Sequence, residues 1–470
     1  MTRPVGFGVW VDPGDGRFVR AGTARSVQVG EAEGRCEFTY DHAYLGRPDA
    51  IAIDPDRLPL PSDGNDPVRP IVQPEGERAP LFGVFRDAAP DGWGRELTER
   101  AAGRPLDEVG HLLAAGHSRV GALAFSRATD APAPDHRWGA NPTNDWGLRV
   151  VARSYAGFLN DLPTDDLVLR PLFDQGMSLG GARPKAHVRI DGRAWIAKFP
   201  SPRDAFPQTR VEHAATLLAG RCGVRVPRTR VETVDGMDVF LIERFDRVPV
   251  EGGEARLGFR SALTVLGYDE MGARYASYAE LAAAARRTTD TPSDADATTW
   301  EVWRRMAFDV LTSNDDDHLR NHGFLRGPGP EGRWSLSPAY DIAPRPRRGS
   351  GPAGHAIRIA GDSNAGTADA VVAAGVEMGL DVGAVTAALD DLANRVSAGW
   401  DLALSEAGVG TRDREGLRRC VRVADDRTAT LGGKRAVAAL DGATSLPTEP
   451  WDERHEADRD AYPVPSGPTP

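Results

Sequence analysis

Lysine is almost absent from this chain. Among 470 residues it occurs only at Lys185, Lys198 and Lys434, so arginine supplies nearly all of the 57 basic residues. A lysine that survives such a bias marks a position wanting a compact point charge, as a phosphate-contacting site often does. Cysteine is equally sparse. Cys36, Cys222 and Cys420 are scattered, odd in number and outside any metal-ligand spacing, so they read as reduced thiols of a cytoplasmic protein rather than a disulfide framework. Positive charge is in deficit, with a formal net charge of -11, and no direct nucleic-acid binding is expected. No apolar run is long enough to span a bilayer, and "MTRPVGFGVW" lacks the apolar core of a signal peptide. No membrane association is expected.

The length allows two or three domains with sizeable cores. In the first stretch "FGVWVD" and "CEFTYD" are strand-like, "GWGRELTERAAG" predicts a helix from about Trp93, and "DEVGHLLAAG" is helical. The Pro- and Gly-rich "RATDAPAPDHRWGANPTNDWG" reads as a linker. Beyond it, "AHVRIDGRAWIAKFPS" and "RVPRTRVETVDGMDVFLIERFDR" predict hairpins around D-G turns, and "TRVEHAATLLAGRCG" an amphipathic helix. From "YAELAAAARR" through "WEVWRRMAFDVLTSN" the pattern is helical. This gives segments 1–130, a linker 131–147, a β-rich segment 148–248, a helix-rich segment 249–445 and a disordered tail 446–470.

The most unusual stretch is "LTSNDDDHLRNHGFL", Leu311 to Leu325. Three consecutive aspartates repel one another, and a fold keeps them only if a cation answers them. Asp316 and Asn321 have the spacing of the protein-kinase catalytic loop, in which an aspartate accepts the proton of the attacking hydroxyl and an asparagine holds magnesium on ATP. Magnesium asks for hard oxygens and takes one or two carboxylates from protein, and "SPAYDIAP" supplies Asp341 after a turn. Upstream, Gly180 and Gly181 in "SLGGARPKAHV" suit close backbone approach to phosphate. Lys198 follows in an apolar strand, Lys185 shortly before it. Glu212 on the next helix could pair with Lys198, and "VFLIERFDR" suits a hinge where Glu243 and Phe245 meet adenine. Each feature alone has an ordinary reading: a solvated turn, a hairpin glycine, a snorkelling lysine, an exposed glutamate at a helix start. Their order is that of a kinase.

"SLGGARPKA", "WIAKFPS", "RVEHAATLLA", "FLIERFDR", "NDDDHLRNHGF" and "SPAYDIAP", with "FRDAAPDGWGRELTER" and "LLAAGHSRVGALAF" before them, resemble the HipA-type serine/threonine kinases of bacterial toxin–antitoxin systems. The resemblance implies an α+β, two-lobed protein-kinase-like fold, a β-rich lobe plus a helical lobe, with a small N-terminal β-containing domain. It implies Asp316 as catalytic aspartate, Asn321 and Asp341 as magnesium ligands, Lys198 on the ATP phosphates, Glu243 and Phe245 at the adenine, and His318 orienting the loop. Ser178 matches the autophosphorylated serine of the family. The implied cofactors are ATP and Mg2+, and the implied partners are a protein substrate and a HipB-like DNA-binding antitoxin. Arg320 stands where the family often has lysine, and the D-F-G glycine of eukaryotic kinases is missing after Asp341. The alternatives are a small-molecule kinase, a catalytically silent co-repressor partner of an antitoxin, and, for the bare acidic cluster, a metal-dependent nuclease.

Overall fold

The computed structural model describes residues 4–28, 34–61, 69–74, 79–116, 118–127, 146–163, 167–178, 181–251, 253–289, 292–347 and 353–421. The expected disordered tail and nearly all of the expected linker lie outside these residues. Among the described residues the chain is a mixed α and β protein that divides into two compact units. The first comprises Met1–Arg203, Glu232–Asp269 and Gly323–Ser335, the second Asp204–Val231, Glu270–His322 and Leu336–Pro470. The segments read from the sequence are contiguous, whereas each unit is assembled from chain returns that local pattern does not record.

The first unit opens with an antiparallel sheet of β1 (Val5–Val11), β2 (Val19–Gln28), β3 (Gly34–Tyr40), β4 (Ile71–Val72) and β5 (Leu123–Ser126), in the order β4-β3-β2-β1-β5. Strand alternation turns Cys36, Phe38 and Tyr40 inward. Phe7, Phe38, Phe82, Phe85 and Phe125 meet edge to face in that core. β2 was not expected: "VRAGTARSVQ" is polar, and its place is decided by pairing with β1 and β3 on either side.

A second sheet holds β6 (Lys185–Ile190), β7 (Arg193–Lys198), β8 (Thr229–Val234) and β9 (Met237–Glu243), in the order β6-β7-β9-β8. Both expected hairpins are present. Their turns, Asp191-Gly192 and Asp235-Gly236, have positive φ at both positions, which matches the right-handed twist of the strands they join. Ala186, Val188, Trp195, Ala197, Val239 and Leu241 bury one face against the helices Leu148–Leu159 and Arg170–Gly176. Three short strand pairs complete the unit: β10 (Arg247–Val250) with β11 (Gly253–Arg256), and β12 (Gly258–Ser261) with β13 (Gly323–Arg326), beside which lies β14 (Trp334–Leu336).

Beneath this surface lies a buried ionic cluster. Asp246 accepts hydrogen bonds from Arg244, Arg247 and the Gly121 backbone N–H. Arg244 and Arg247 also donate to the carbonyls of Ser118 and Arg119. Arg119 in turn donates to the carbonyls of Ala88, Leu112, Ala115 and Gly116, closing the C-terminal end of the helix Glu108–Ala114. Burial alone would raise the Asp246 carboxyl pKa. The two guanidinia outweigh it and hold the group far below the usual carboxylate range.

The second unit is helical, with Gln208–Arg221, Tyr278–Arg286, Pro292–Thr312, Ala368–Glu377, Val382–Glu406 and Thr411–Leu417. Tyr278–Arg286 starts in a reciprocal cap between Ser277 and Glu280. The described residues 353–421, which carry no motif, pack on the earlier helices: Trp303 donates to the Val371 carbonyl, and Arg221 pairs with Glu406. No helix among the described residues is long and apolar enough to cross a membrane.

Removing the charge of Asp246 leaves two buried guanidinia without their anion. Asp246→Asn is therefore expected to destabilise the protein by about 3–5 kcal/mol, read as a fall in the urea midpoint; an unchanged midpoint would refute this role for the cluster.

Candidate functional site

In the first unit, Lys185 and Lys198 stand directly opposite one another on β6 and β7. They occupy the face turned away from the apolar core, and they are only 9% and 4% exposed. Like charges in directly opposed strand positions are destabilising in themselves. Gly181 closes over Lys185: its φ is +87°, and a Cβ there would come within 2.6 Å of the lysine Nζ. Only glycine fits this position. Gly180 lies outside the described residues.

Trp93, which sequence reasoning placed only at a helix start, fixes this segment. Its backbone N–H donates to the Gly181 carbonyl at 3.0 Å and its Nε1 to the Lys185 carbonyl at 2.9 Å. Ser178 is 3% exposed, with its Oγ 3.0 Å from the Oγ of Ser118. Glu243 ends β9 and pairs with Arg193 at 2.7 Å. Phe245 is half-buried between the fully enclosed Arg244 and Asp246.

In the second unit the three aspartates separate into three environments. Asp315 is half-buried. Asp316 is exposed, and its Oδ2 accepts a hydrogen bond from Arg345 at 2.9 Å. Asp317 is 3% exposed and meets the Tyr278 hydroxyl at 2.5 Å and His322 Nε2 at 2.8 Å. Burial would raise the Asp317 carboxyl pKa, but the charge and hydrogen bond of His322, the hydrogen bond of Tyr278 and the charge of His318 bring it down to about 2. Asp309, buried beside it, is pushed well above the carboxylate range, first by desolvation and then by the charge of Asp317. Two carboxylates in one dry site cannot both ionise, so Asp309 stays neutral while Asp317 carries the charge.

Asn314 ties this pair to the loop that carries Asp341. Its Nδ2 donates to Asp309 at 2.9 Å, and its Oδ1 accepts from the Ala343 N–H at 3.3 Å. The Tyr340 hydroxyl donates to the Arg320 carbonyl at 2.6 Å. Pinned on both sides, Asp341 adopts φ 62°, a left-handed conformation that costs a non-glycine residue free energy. Asn321 is buried, and its Nδ2 donates to the Asp316 carbonyl at 3.3 Å. No three His, Cys, Asp or Glu side chains among the described residues form a metal cage. Magnesium needs fewer protein ligands, and one amide oxygen with one carboxylate fits its hard-oxygen preference.

His318 is half-buried, with no hydrogen-bond partner at Nδ1. Glu212 is 1% exposed, so the reading of an exposed glutamate at a helix start is corrected: the first turn of Gln208–Arg221 faces inward here. Asp309, Asn314, Tyr278, His322 and Arg345 were missed. Asp309 alone left a trace, as a charge inside the apolar helical run "MAFDVL".

A family model described as the HipA N-terminal domain matches residues 19–126, and one described as the HipA-like C-terminal domain matches residues 177–400. A Haemophilus influenzae protein whose name ascribes a kinase role to it is 27% identical over 196 residues, 37% of this chain. The match spans 55% of that curated relative, about half its length. Among solved structures, Shewanella oneidensis MR-1 HipA, from a complex with HipB and operator DNA, superposes with a TM-score of 0.59 at 16% identity. That alignment covers 86% of this chain and 95% of the Shewanella chain, and it shows the shared fold.

Because the folded-state pKa of Asp309 is raised, the unfolded chain ionises first as pH rises, and stability is lost above the ordinary carboxylate range until the folded group itself titrates. Asparagine keeps a neutral donor there. Asp309→Asn and wild type are expected to melt alike near about pH 4, with the variant gaining by at most ~1.4 kcal/mol per pH unit toward about pH 8. A difference independent of pH in thermal melts would mean that Asp309 is ionised in the fold.

Proposed function

The chain belongs to the HipA family, and from that premise we propose that it is an ATP- and magnesium-dependent serine/threonine protein kinase of the toxin type. Asp316 takes the hydroxyl proton of the acceptor. Asn321 and Asp341 would hold magnesium, which supplies charge neutralisation on the phosphates. Lys198 and Lys185, with the Gly180-Gly181 backbone, receive the phosphates of ATP, and Glu212 orients Lys198. Glu243 and Phe245 meet the adenine, His318 supports the loop, and Ser178 is the site of autophosphorylation. Segment 1–130 serves as the N-terminal domain, 148–248 and 249–445 as the two kinase-like lobes, in a cytoplasmic protein. A HipB-like DNA-binding antitoxin is the proposed partner, as HipB accompanies the Shewanella protein.

One observation carries this reading. Asn314 pins the Asp341 segment to the loop that bears Asp316 and Asn321, so a base and two oxygen ligands for a hard cation share one scaffold. A solvated acidic turn has no use for such a pin. Retention of all four of Lys198, Asp316, Asn321 and Asp341 weighs against a catalytically silent partner.

Incubation with labelled ATP and magnesium is expected to label Ser178 in the wild type. Asp316→Asn should reduce uptake roughly 10²- to 10⁴-fold while retaining heat stabilisation by ATP with magnesium, whereas Lys198→Ala should lose that stabilisation. If the wild type takes up no label and gains no heat stability, the protein is a non-catalytic partner and the proposal fails.

A further inference from the structure

The acidic run finds its cation within the chain itself. Arg345 reaches Asp316 Oδ2 at 2.9 Å and lies 4.0 Å from Asp315. Both partners of the closer pair are more than half exposed, and an ordinary surface ion pair of this kind contributes little. This one is delivered by the backbone. The Arg345 N–H donates to the Ser313 carbonyl at 3.1 Å, two residues after the Ala343 N–H meets Asn314 Oδ1. Ser313 holds φ 58°, and its Oγ donates to the Cys420 carbonyl and accepts from Arg347. The segment 343–347 is thus laced to 313–314 at three points, and the guanidinium is set against the aspartate without depending on side-chain attraction alone.

We propose that Arg345 is a positioning residue for Asp316, an inference that rests on the kinase reading above. Its donor occupies Oδ2 and leaves Oδ1 for the acceptor hydroxyl, and its charge separates Asp316 from the like charge of Asp315. In the step served, the acceptor oxygen bonds to the γ-phosphorus of ATP as the bond from phosphorus to the β,γ-bridging oxygen breaks. ADP leaves with that electron pair, and the hydroxyl proton ends on Asp316. Arg345 stays protonated throughout and acts only by holding the carboxylate where the proton arrives. The residue lies four positions beyond Asp341, outside the D-x-x-x-x-N loop, so a reading confined to the loop does not include it.

The test measures the initial rate of label uptake from ATP with magnesium as a function of ATP concentration, for wild type, Arg345→Gln and Arg345→Lys, with thermal melts alongside. Arg345→Gln is expected to lower the rate at saturating ATP by about 10-fold, less than the ~10²-fold lower bound for loss of a positioned base, with half-saturating ATP and melting temperature unchanged. Arg345→Lys should recover most of the rate. An unchanged rate in Arg345→Gln overturns the inference, and a raised rate overturns it in favour of an inhibitory clamp. A lowered melting temperature with no rescue by lysine overturns it in favour of a structural role. A wild type that neither takes up label nor gains heat stability from ATP removes the kinase reading, and the inference with it.

Discussion

Two carboxylates in one dry site cannot both be charged, and the helical unit is arranged around that constraint. Asp309 and Asp317 divide the roles: one stays neutral and accepts from Asn314, the other ionises and gathers Tyr278 and His322. The division fixes where each donor goes. Asn314, committed to Asp309 through its nitrogen, has its oxygen left for Ala343, and that hydrogen bond brings the Asp341 segment to the acidic loop. The loop that exposes Asp316 therefore rests on buried groups. Preorganisation of this kind is what phosphoryl transfer asks of a protein, since the reaction is mostly positioning and charge compensation.

The strand-rich unit meets the same problem with the opposite sign. In its buried cluster guanidinia outnumber carboxylates, and Asp246 is the anion that makes burial of Arg244 and Arg247 tolerable. Planar forks explain why arginine serves: Arg119 alone satisfies three carbonyls at the end of the helix Glu108–Ala114 and that of Ala88, which a lysine with three donors on a flexible stem could not do in one plane. The two lysines that remain in this unit are set as an opposed pair on one face of a sheet. The substitution bias of the sequence therefore separates two kinds of work. Arginine builds the buried cluster, and Lys185 and Lys198 are left for the phosphate role proposed above.

Elements with strong local chemistry were legible. The D-G turns foretold both hairpins because φ > 0 at two successive positions leaves few alternatives, and "VEHAATLLAG" foretold its helix by period. β2 was not legible, because "VRAGTARSVQ" acquires its strand identity from neighbours distant in sequence. Asp316 and Asn321 were singled out by their spacing, and Asp341 by the turn that brings it after the loop. Their supports were not: Asn314 and Arg345 act through backbone groups, and a hydrogen bond to a main-chain N–H or carbonyl leaves no complementary residue type in the sequence. Trp93 shows the same blindness, since both of its bonds go to carbonyls.

The three aspartates make the point most directly. In the sequence they are equivalent, and one cation for all of them is the natural expectation. Outside a regular helix, successive side chains leave the backbone in different directions, so Asp316 points to solvent while Asp317 points into the core. Each then acquires its own counterpart, a guanidinium for Asp316 and a phenol with an imidazole for Asp317. A bound cation no longer has to answer all three. Asn321 and Asp341 are its proposed ligands, and the aspartate run becomes a switch of direction in the chain: one carboxylate anchors the loop in the core while its neighbour faces solvent.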